Sequence, residues 1–309
     1  DQAKMKELVR RGEADRVYNA VISQSMEGIV SVAEGKDGGI HFDTAEAIAE
    51  AYNKVFKEES LVELARKYRQ YSREQCREKL RGDDLLYEGN FLYEKGDGKE
   101  ALARWNEALV LFKKIGDLPG EAEALGNIGN VYGSLGRYAE ALDYHKQALE
   151  IDRKIGNPAG EAASLGNIGV DYGKLGRQTE SLNYRLQALE IDRKMGNPAG
   201  EVKDLTNIAI VCSHLGRYTE ALTYHKQAFE ICRRIGDVAG EATALGNIGI
   251  IYDYLGRYTE ALDYHTQAFE MEKKIGNVEG ELKDLTNIGI VYYHLGQYDE
   301  ALNYHTQVL

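Results

Sequence analysis

Four histidines share one forty-residue register, at His145, His225, His265 and His305, and imidazole is both a metal ligand and a proton carrier near neutral pH. The register excludes a shared metal. Packed helices lie 8–10 Å apart, so helix pairs recurring every forty residues stand roughly 20 Å apart, while ligands sit about 2 Å from a zinc ion. An aromatic ring is the usual occupant of this position, so the histidines read as core packing. The three cysteines, Cys76, Cys212 and Cys232, form no CxxC pair and have no metal-ligand spacing, which argues for a reducing, cytoplasmic setting. No Ser/His/Asp or Cys/His grouping recurs, and no glycine-rich phosphate loop follows a strand pattern. The reading is therefore of a protein without catalytic site, metal or cofactor.

The side chains with usable chemistry are amides. Asn127, Asn167, Asn207, Asn247 and Asn287 recur at a strict spacing of forty. A carboxamide both donates and accepts, so a row of them can pair with the N–H and C=O groups of an extended peptide regardless of its side chains. The alternative is that each asparagine bonds to a neighbouring helix of its own chain. Three residues further on stand Asn90 and Asn130, then Val170, Ile210, Ile250 and Ile290. Apolar groups facing water form an adhesive strip, whereas between curved helices they are ordinary packing; both readings stand. Tyr254 and Tyr293 belong beside this strip, with Lys203, Lys283, His214 and His294 on its edge. Together they suit a peptide with hydrophobic anchors and an acidic group.

The elements that must carry these residues follow from the repeat. GNIG occurs at Gly126, Gly166 and Gly246, and as TNIG at Thr286. Blocks open near Arg81 and at Glu121, Glu161, Glu201, Glu241 and Glu281, the last one cut short. A fixed period of this length marks a stacked array. Within one block Leu125, Ile128, Tyr132 and Leu135 share a helical stripe that Gly136 should end. A second stripe runs from Ala141 through Leu142, Tyr144, Ala148, Leu149 and Ile151 until Gly156, Asn157 and Pro158 break it. Each block is thus a helix, a short turn and a longer helix. Gly129, Ala141 and Ala148 are expected where the two backbones come closest, because mid-helix glycine costs about 1 kcal/mol relative to alanine and needs a packing reason.

The string LGNIGxxYxxLGxYxEAL, carried by Leu125 through Leu142, resembles the tetratricopeptide repeat, in the forty-residue form of kinesin light chains and spindle-orientation adaptors. The resemblance spans residues 82–309. It implies an all-α, right-handed solenoid whose first helices line a concave groove, and a binding scaffold for peptides rather than an enzyme. Asparagine ladders hold peptide backbones in such relatives, which implies the same role for the five asparagines above.

One block departs from its siblings. Asp171 replaces the apolar Val131, Val211, Ile251 and Val291, and Arg185 replaces the histidine of the same block. A buried carboxylate needs a partner, so the two substitutions are expected to pair.

Residues 1–81 do not follow the period and read as a helical cap over the apolar end of the array. Helices are expected over about Lys4–Arg11 and Asp15–Val32, then after the glycines at Gly35–Gly39 a helix capped by Asp43 and running to Phe56. Ser72 and Gln75 form a capping box for a helix leading to Leu80. Seven bases between Arg66 and Arg81 meet only Glu74 and Glu78, either a docking patch or a solvated face. The net charge of the 309-residue chain is −12, with acids and bases balanced before Gly82, so the excess acid lies in the array. An acidic array is a poor nucleic-acid binder, and no apolar run is long enough to span a membrane.

The leading expectation is a protein-interaction scaffold holding a partner peptide in its groove. Two others are a sensor region of a larger signalling protein, protease or NTPase whose effector part lies outside this sequence, and a module that self-associates through its cut last block.

Overall fold

A computed structural model describes residues 14–56 and 60–308, and every described element is helical. The expected helix over Lys4–Arg11 lies outside the described residues. The chain forms two compact units, divided between Asn197 and Pro198. In the first, α1 (Ala14–Ala33), α2 (Gly39–Phe56) and α3 (Ser60–Arg69) precede three helix pairs: α4 (Arg73–Glu94) with α5 (Gly98–Ile115), α6 (Leu118–Ser134) with α7 (Tyr138–Ile155), and α8 (Pro158–Lys174) with α9 (Gln178–Met195). The second unit holds α10 (Pro198–His214) with α11 (Tyr218–Ile235), α12 (Val238–Tyr254) with α13 (Tyr258–Ile275), and α14 (Val278–His294) with α15 (Tyr298–Thr306). Successive helices from α4 to α9 and from α10 to α15 pack on one another, as expected for stacked helix pairs.

The punctuation explains the bounds. Gly156 ends α7 with φ of 63° and Gly276 ends α13 with φ of 73°, a left-handed conformation that glycine adopts without strain. The next residue then caps the following helix: Asn157, Asp237 and Asn277 accept from the backbone N–H of Gly160, Gly240 and Gly280 at 3.1, 2.9 and 3.3 Å. Inside four of the six pairs two tyrosines stack, among them Tyr132 on Tyr144 at 5.2 Å in the first unit and Tyr252 on Tyr264 at 5.2 Å in the second. The guanidinium groups of Arg137 and Arg257 cover Tyr132 and Tyr252 at 4.5 and 4.7 Å.

The repeated mid-helix glycine has a different reason from the one expected. A Cβ on Gly129 would lie 2.6 Å from the His145 ring, one on Gly249 2.8 Å from His265, and one on Gly89 2.4 Å from Trp105. The glycine makes room for a ring of the second helix rather than for its backbone. His145 and His265 are buried accordingly, and His225 is buried with Ala209 at the glycine's register.

The N-terminal helices pack onto the first unit's array. Tyr18, Val21 and Ile29 of α1, Phe42 and Ala45 of α2, and Leu61, Leu64 and Tyr68 of α3 share a core with Ile115 and Ile155, the last residues of α5 and α7. Asp43 is not a cap: α2 starts at Gly39, whose N–H bonds to Asp37 at 2.8 Å, and Asp43 pairs with Arg69 at 2.5 Å. The capping box of Ser72 and Gln75 is present. The helix it opens does not stop at Leu80 but continues through residue 82 to Glu94, so it also serves as the first helix of the first pair. Five of the seven bases in the basic stretch bond within the protein itself, while Arg77 and Arg81 are exposed. Arg66 bonds to Glu50, Lys67 to the Gly116 carbonyl, Arg69 to Asp43 and Glu46, Arg73 to the Ala33 carbonyl, and Lys79 to Asp83 and Asp117.

Candidate functional site

In the first unit the amide row and α1 enclose a cleft of about 430 Å³, lined by Tyr18, Asn19 and Ile22 of α1, by Asn127 and Asn130 of α6, and by Asn167 of α8 with Asp152 and Asn157 beside it. A second cavity of about 280 Å³ shares Asn130 and Asn167 and adds Val170, His145, Asp171 and Lys174. Asn127, Asn167 and Val170, three of the residues singled out by their spacing, are thus brought together. Tyr18 and Asn19 carry no periodic signal and were not legible as site residues.

The amides are ordered by bonds among themselves. Asn127 donates its Nδ2 to Asn90 Oδ1 at 3.1 Å, and Asn167 donates its Nδ2 to Asn130 Oδ1 at 3.3 Å. The row therefore does bond to neighbouring helices here, through the asparagines three residues further along the preceding first helix. Those bonds use one N–H of each donor amide. No described residue donates to Oδ1 of Asn127 or Asn167, and both residues line the cleft.

In the second unit isoleucine stands where Asn90 and Asn130 stand in the first. Asn207, Asn247 and Asn287 are half-buried there, and Asn287 Nδ2 is buried without a bonding partner. Ile210 and Ile290 are exposed, as is Val170 in the first unit, while Ile250 is half-buried. Tyr254 and Tyr293 are 59% and 60% exposed, which leaves large faces of both rings in water. Tyr254 stacks on Tyr218 at 5.4 Å, Tyr293 meets Tyr298 at 5.5 Å, and His294 stands 5.7 Å from Tyr258. His294 is held by Asp253 at 2.8 Å. Tyr218, Tyr258 and Tyr298 open the second helices, and their recurrence every forty residues was the signal that could have placed them in this aromatic surface. His214 and Lys203 are exposed. Lys283 lines a small cavity of about 170 Å³ with Glu272, Glu279 and Asp284.

Asp171 is paired, though not as expected. Its Oδ2 meets His145 Nδ1 of the preceding helix pair at 2.6 Å, both groups being buried, while Arg185 reaches Ser181 Oγ at 3.4 Å. The compensation for a buried carboxylate comes from the neighbouring pair because the first helix of one block packs on the second helix of the block before it.

Asp152 borders the same cleft. Burial pushes its carboxyl up to about 6, against the bonds from Asn157 and Ser164 that pull it down. A carboxyl whose folded value exceeds its unfolded one contributes stability fully below the unfolded value, near 3.9, and loses it as pH rises through the folded value. At neutral pH the ionised Asp152 therefore costs stability. Phe112 and Cys232 occupy the equivalent position in other blocks, so an uncharged side chain fits the architecture. Asp152→Asn is expected to stabilise the protein by about 2 kcal/mol at pH 7.5 and to have little effect near pH 4. Urea unfolding at the two pH values measures this, and equal effects at both would dismiss the burial cost as the cause.

The sequence matches the tetratricopeptide repeat family over residues 84–154 and 204–274, and a second form of that repeat over residues 285–309. The chain belongs to the tetratricopeptide repeat family. No curated protein matches it. Among solved structures, a kinesin light chain of Podosopora anserina with nearly identical TPR-like repeats is similar at 19% identity and a TM-score of 0.53, over 60% of this chain and 92% of that one. A Rap protein complexed with competence and sporulation factor is similar at 15% identity and a TM-score of 0.55, over 94% and 97% of the two chains. The tetratricopeptide repeat sensor protein PH0952 of Pyrococcus horikoshii, a signal transduction ATPase with numerous domains, is similar at 19% identity and a TM-score of 0.63, over 91% of this chain and 45% of that one. At these identities the likeness is one of fold. The Rap likeness extends over the N-terminal helices as well as the repeats. No helix among the described residues is long and apolar enough to cross a membrane, and no group of three or more His, Cys, Asp or Glu among them is placed to hold a metal ion.

Proposed function

We propose that this tetratricopeptide repeat protein is an interaction scaffold that binds an extended segment of a partner protein along its asparagine row. The observation that carries this reading is the pair of unused carbonyl oxygens on Asn127 and Asn167, both lining one cleft. Acceptors held on a helical wall are matched by the N–H groups that an extended chain presents on alternate residues. In the second unit, exposed Ile210, Ile290, Tyr254 and Tyr293 supply apolar anchoring for side chains of a segment bound to that unit. The function needs no catalytic group, metal or cofactor. The Rap protein solved with competence and sporulation factor supports the reading, since its likeness includes α1, which borders the cleft here.

The test compares the protein with Asn127→Ala/Asn167→Ala and with Asn207→Ala/Asn247→Ala/Asn287→Ala against a library of random-sequence decapeptides. Loss of one or two hydrogen bonds at each site is expected to weaken selected peptides about ten-fold or more in the first variant. Selection of the same peptides with undiminished affinity by both variants would sink the backbone-reading role. A second reading, the sensor region of a larger signalling protein, is favoured by the likeness to PH0952, a signal transduction ATPase with a tetratricopeptide repeat sensor.

A further inference from the structure

We propose that Trp105 and His145 are positioning residues for the asparagine row, Trp105 permanently and His145 only when its ring is doubly protonated; the inference rests on the peptide-binding reading above. Trp105 Nε1 lies 3.2 Å from Asn90 Oδ1 and 3.3 Å from the Leu86 carbonyl. An indole N–H only donates, so Asn90 must turn its oxygen toward it. Asn127, 3.1 Å from that same oxygen, must then present Nδ2 to Asn90, which leaves Asn127 Oδ1 for the ligand. The orientation of two amides is thereby dictated by one group that has no alternative state.

The next pair repeats the arrangement with an imidazole in place of the indole. His145 Nε2 lies 3.2 Å from Asn130 Oδ1, which also receives Asn167 Nδ2 at 3.3 Å. The other ring nitrogen, Nδ1, donates its N–H to Asp171 Oδ2 at 2.6 Å. In this arrangement both ring nitrogens face acceptor oxygens, so both carry protons. When the ring is neutral, Asp171 keeps the proton on Nδ1 and Nε2 becomes an acceptor. Asn130 then satisfies it by turning its Nδ2 inward, which sets a donor against the Asn167 Nδ2, and Asn167 must turn as well. The group that Asn167 offers a ligand changes from carbonyl to amine with one proton on His145, while the group offered by Asn127 stays the same.

The titratable groups sharing the cavity with His145 are Asp171 and Lys174 of α8, Tyr138 of its own helix and Tyr93 of α4. Asp171 alone touches the ring among these. From α6 the ring meets Asn130 and the space left by Gly129, neither of which titrates. The second unit has no counterpart, since isoleucine replaces both outer asparagines.

The experiment reads the side-chain amide resonances of Asn127, Asn130 and Asn167 in the ligand-free protein between pH 5 and 8, and in parallel the affinity of decapeptides selected at pH 5.5 from a random-sequence library. Asn130 and Asn167 are expected to shift together with a common midpoint while Asn127 does not move, and selected peptides to weaken about three- to ten-fold at pH 8, the worth of one hydrogen bond. In the paired variant His145→Phe/Asp171→Val, which removes the proton without stranding a buried charge, both dependences should vanish. In Trp105→Phe, which keeps a ring in the core, Asn127 should lose its fixed orientation. Resonances of Asn130 and Asn167 that ignore pH, or that move equally in the paired variant, overturn the positioning role. Peptide affinity that ignores pH while the amides turn overturns its coupling to the ligand. Recovery of no peptide by the unaltered protein defeats the peptide-binding reading instead, and the amide resonances still decide the positioning.

Discussion

Replacing His145 by phenylalanine is expected to destabilise the first unit by about 3–5 kcal/mol, the usual consequence of leaving a buried carboxylate without its partner. Asp171 is 2% exposed and His145 likewise 2% exposed, so water cannot take the place of the lost bond at 2.6 Å. Phenylalanine fills most of the space of the imidazole beside Gly129, which makes the charge, not the volume, the cause. Adding Asp171→Val removes that charge, and valine is the residue at this register in Val131, Val211 and Val291. The paired variant should therefore return to within about 1 kcal/mol of the parent. Asp171→Val alone leaves a buried ring N–H without an acceptor and should cost about 1–3 kcal/mol. Urea unfolding of the four proteins gives the coupling directly. Additive effects of the two substitutions would show that the contact carries no energy.

That pair also shows where sequence reasoning reaches and where it stops. The period, the helix pairs and the glycine turns were legible because each is set by neighbours in sequence: Gly136 and Gly156 are left-handed turns, as their positions require. The need for a partner at Asp171 was legible as well, from burial alone. Its identity was not, because stacking joins a first helix to the preceding pair, whereas departures within one block suggested Arg185. The mid-helix glycines failed for a related reason. Gly129 and Ala141 look like two small faces meeting, yet the neighbour that excludes a Cβ at Gly129 is the long reach of His145. In the site, the asparagine row was visible from its spacing, but the bonds that orient it come from Trp105 and His145, which share the forty-residue ring register and read from sequence only as core packing. The cleft wall from Tyr18 and Asn19 comes from a segment outside the repeat altogether.

The N-terminal segment is joined to the array by a diverted cap, and Lys79→Met is expected to cost about 3–5 kcal/mol by breaking it. At the turn after the second helix, Asn157, Asp237 and Asn277 each cap the following helix with their side chains. Asp117 stands at the same place but makes no such cap bond. It is fully buried and instead accepts from the Tyr68 hydroxyl at 2.6 Å, with Lys79 Nζ 3.3 Å from its other oxygen. Burial alone would lower the Lys79 ammonium, but the Asp117 and Asp83 carboxylates outweigh it and hold its pKa above the ordinary value. Burial first, and then Asp117, raises the Tyr68 phenol well above its usual range, so it remains a donor at all working pH. Methionine keeps an unbranched side chain beside the Phe112 ring, over which the Lys79 ammonium lies at 5.2 Å, but leaves Asp117 and Asp83 without their cation. Asp117→Asn in the same protein should recover most of the loss, because a neutral amide at this turn can accept from Tyr68 or cap α6 as Asn157 caps α8. If unfolding measurements show no such recovery, the two carboxylates are not what Lys79 holds in place, and the segment is anchored by the shared apolar core around Tyr68 and Ile115 alone.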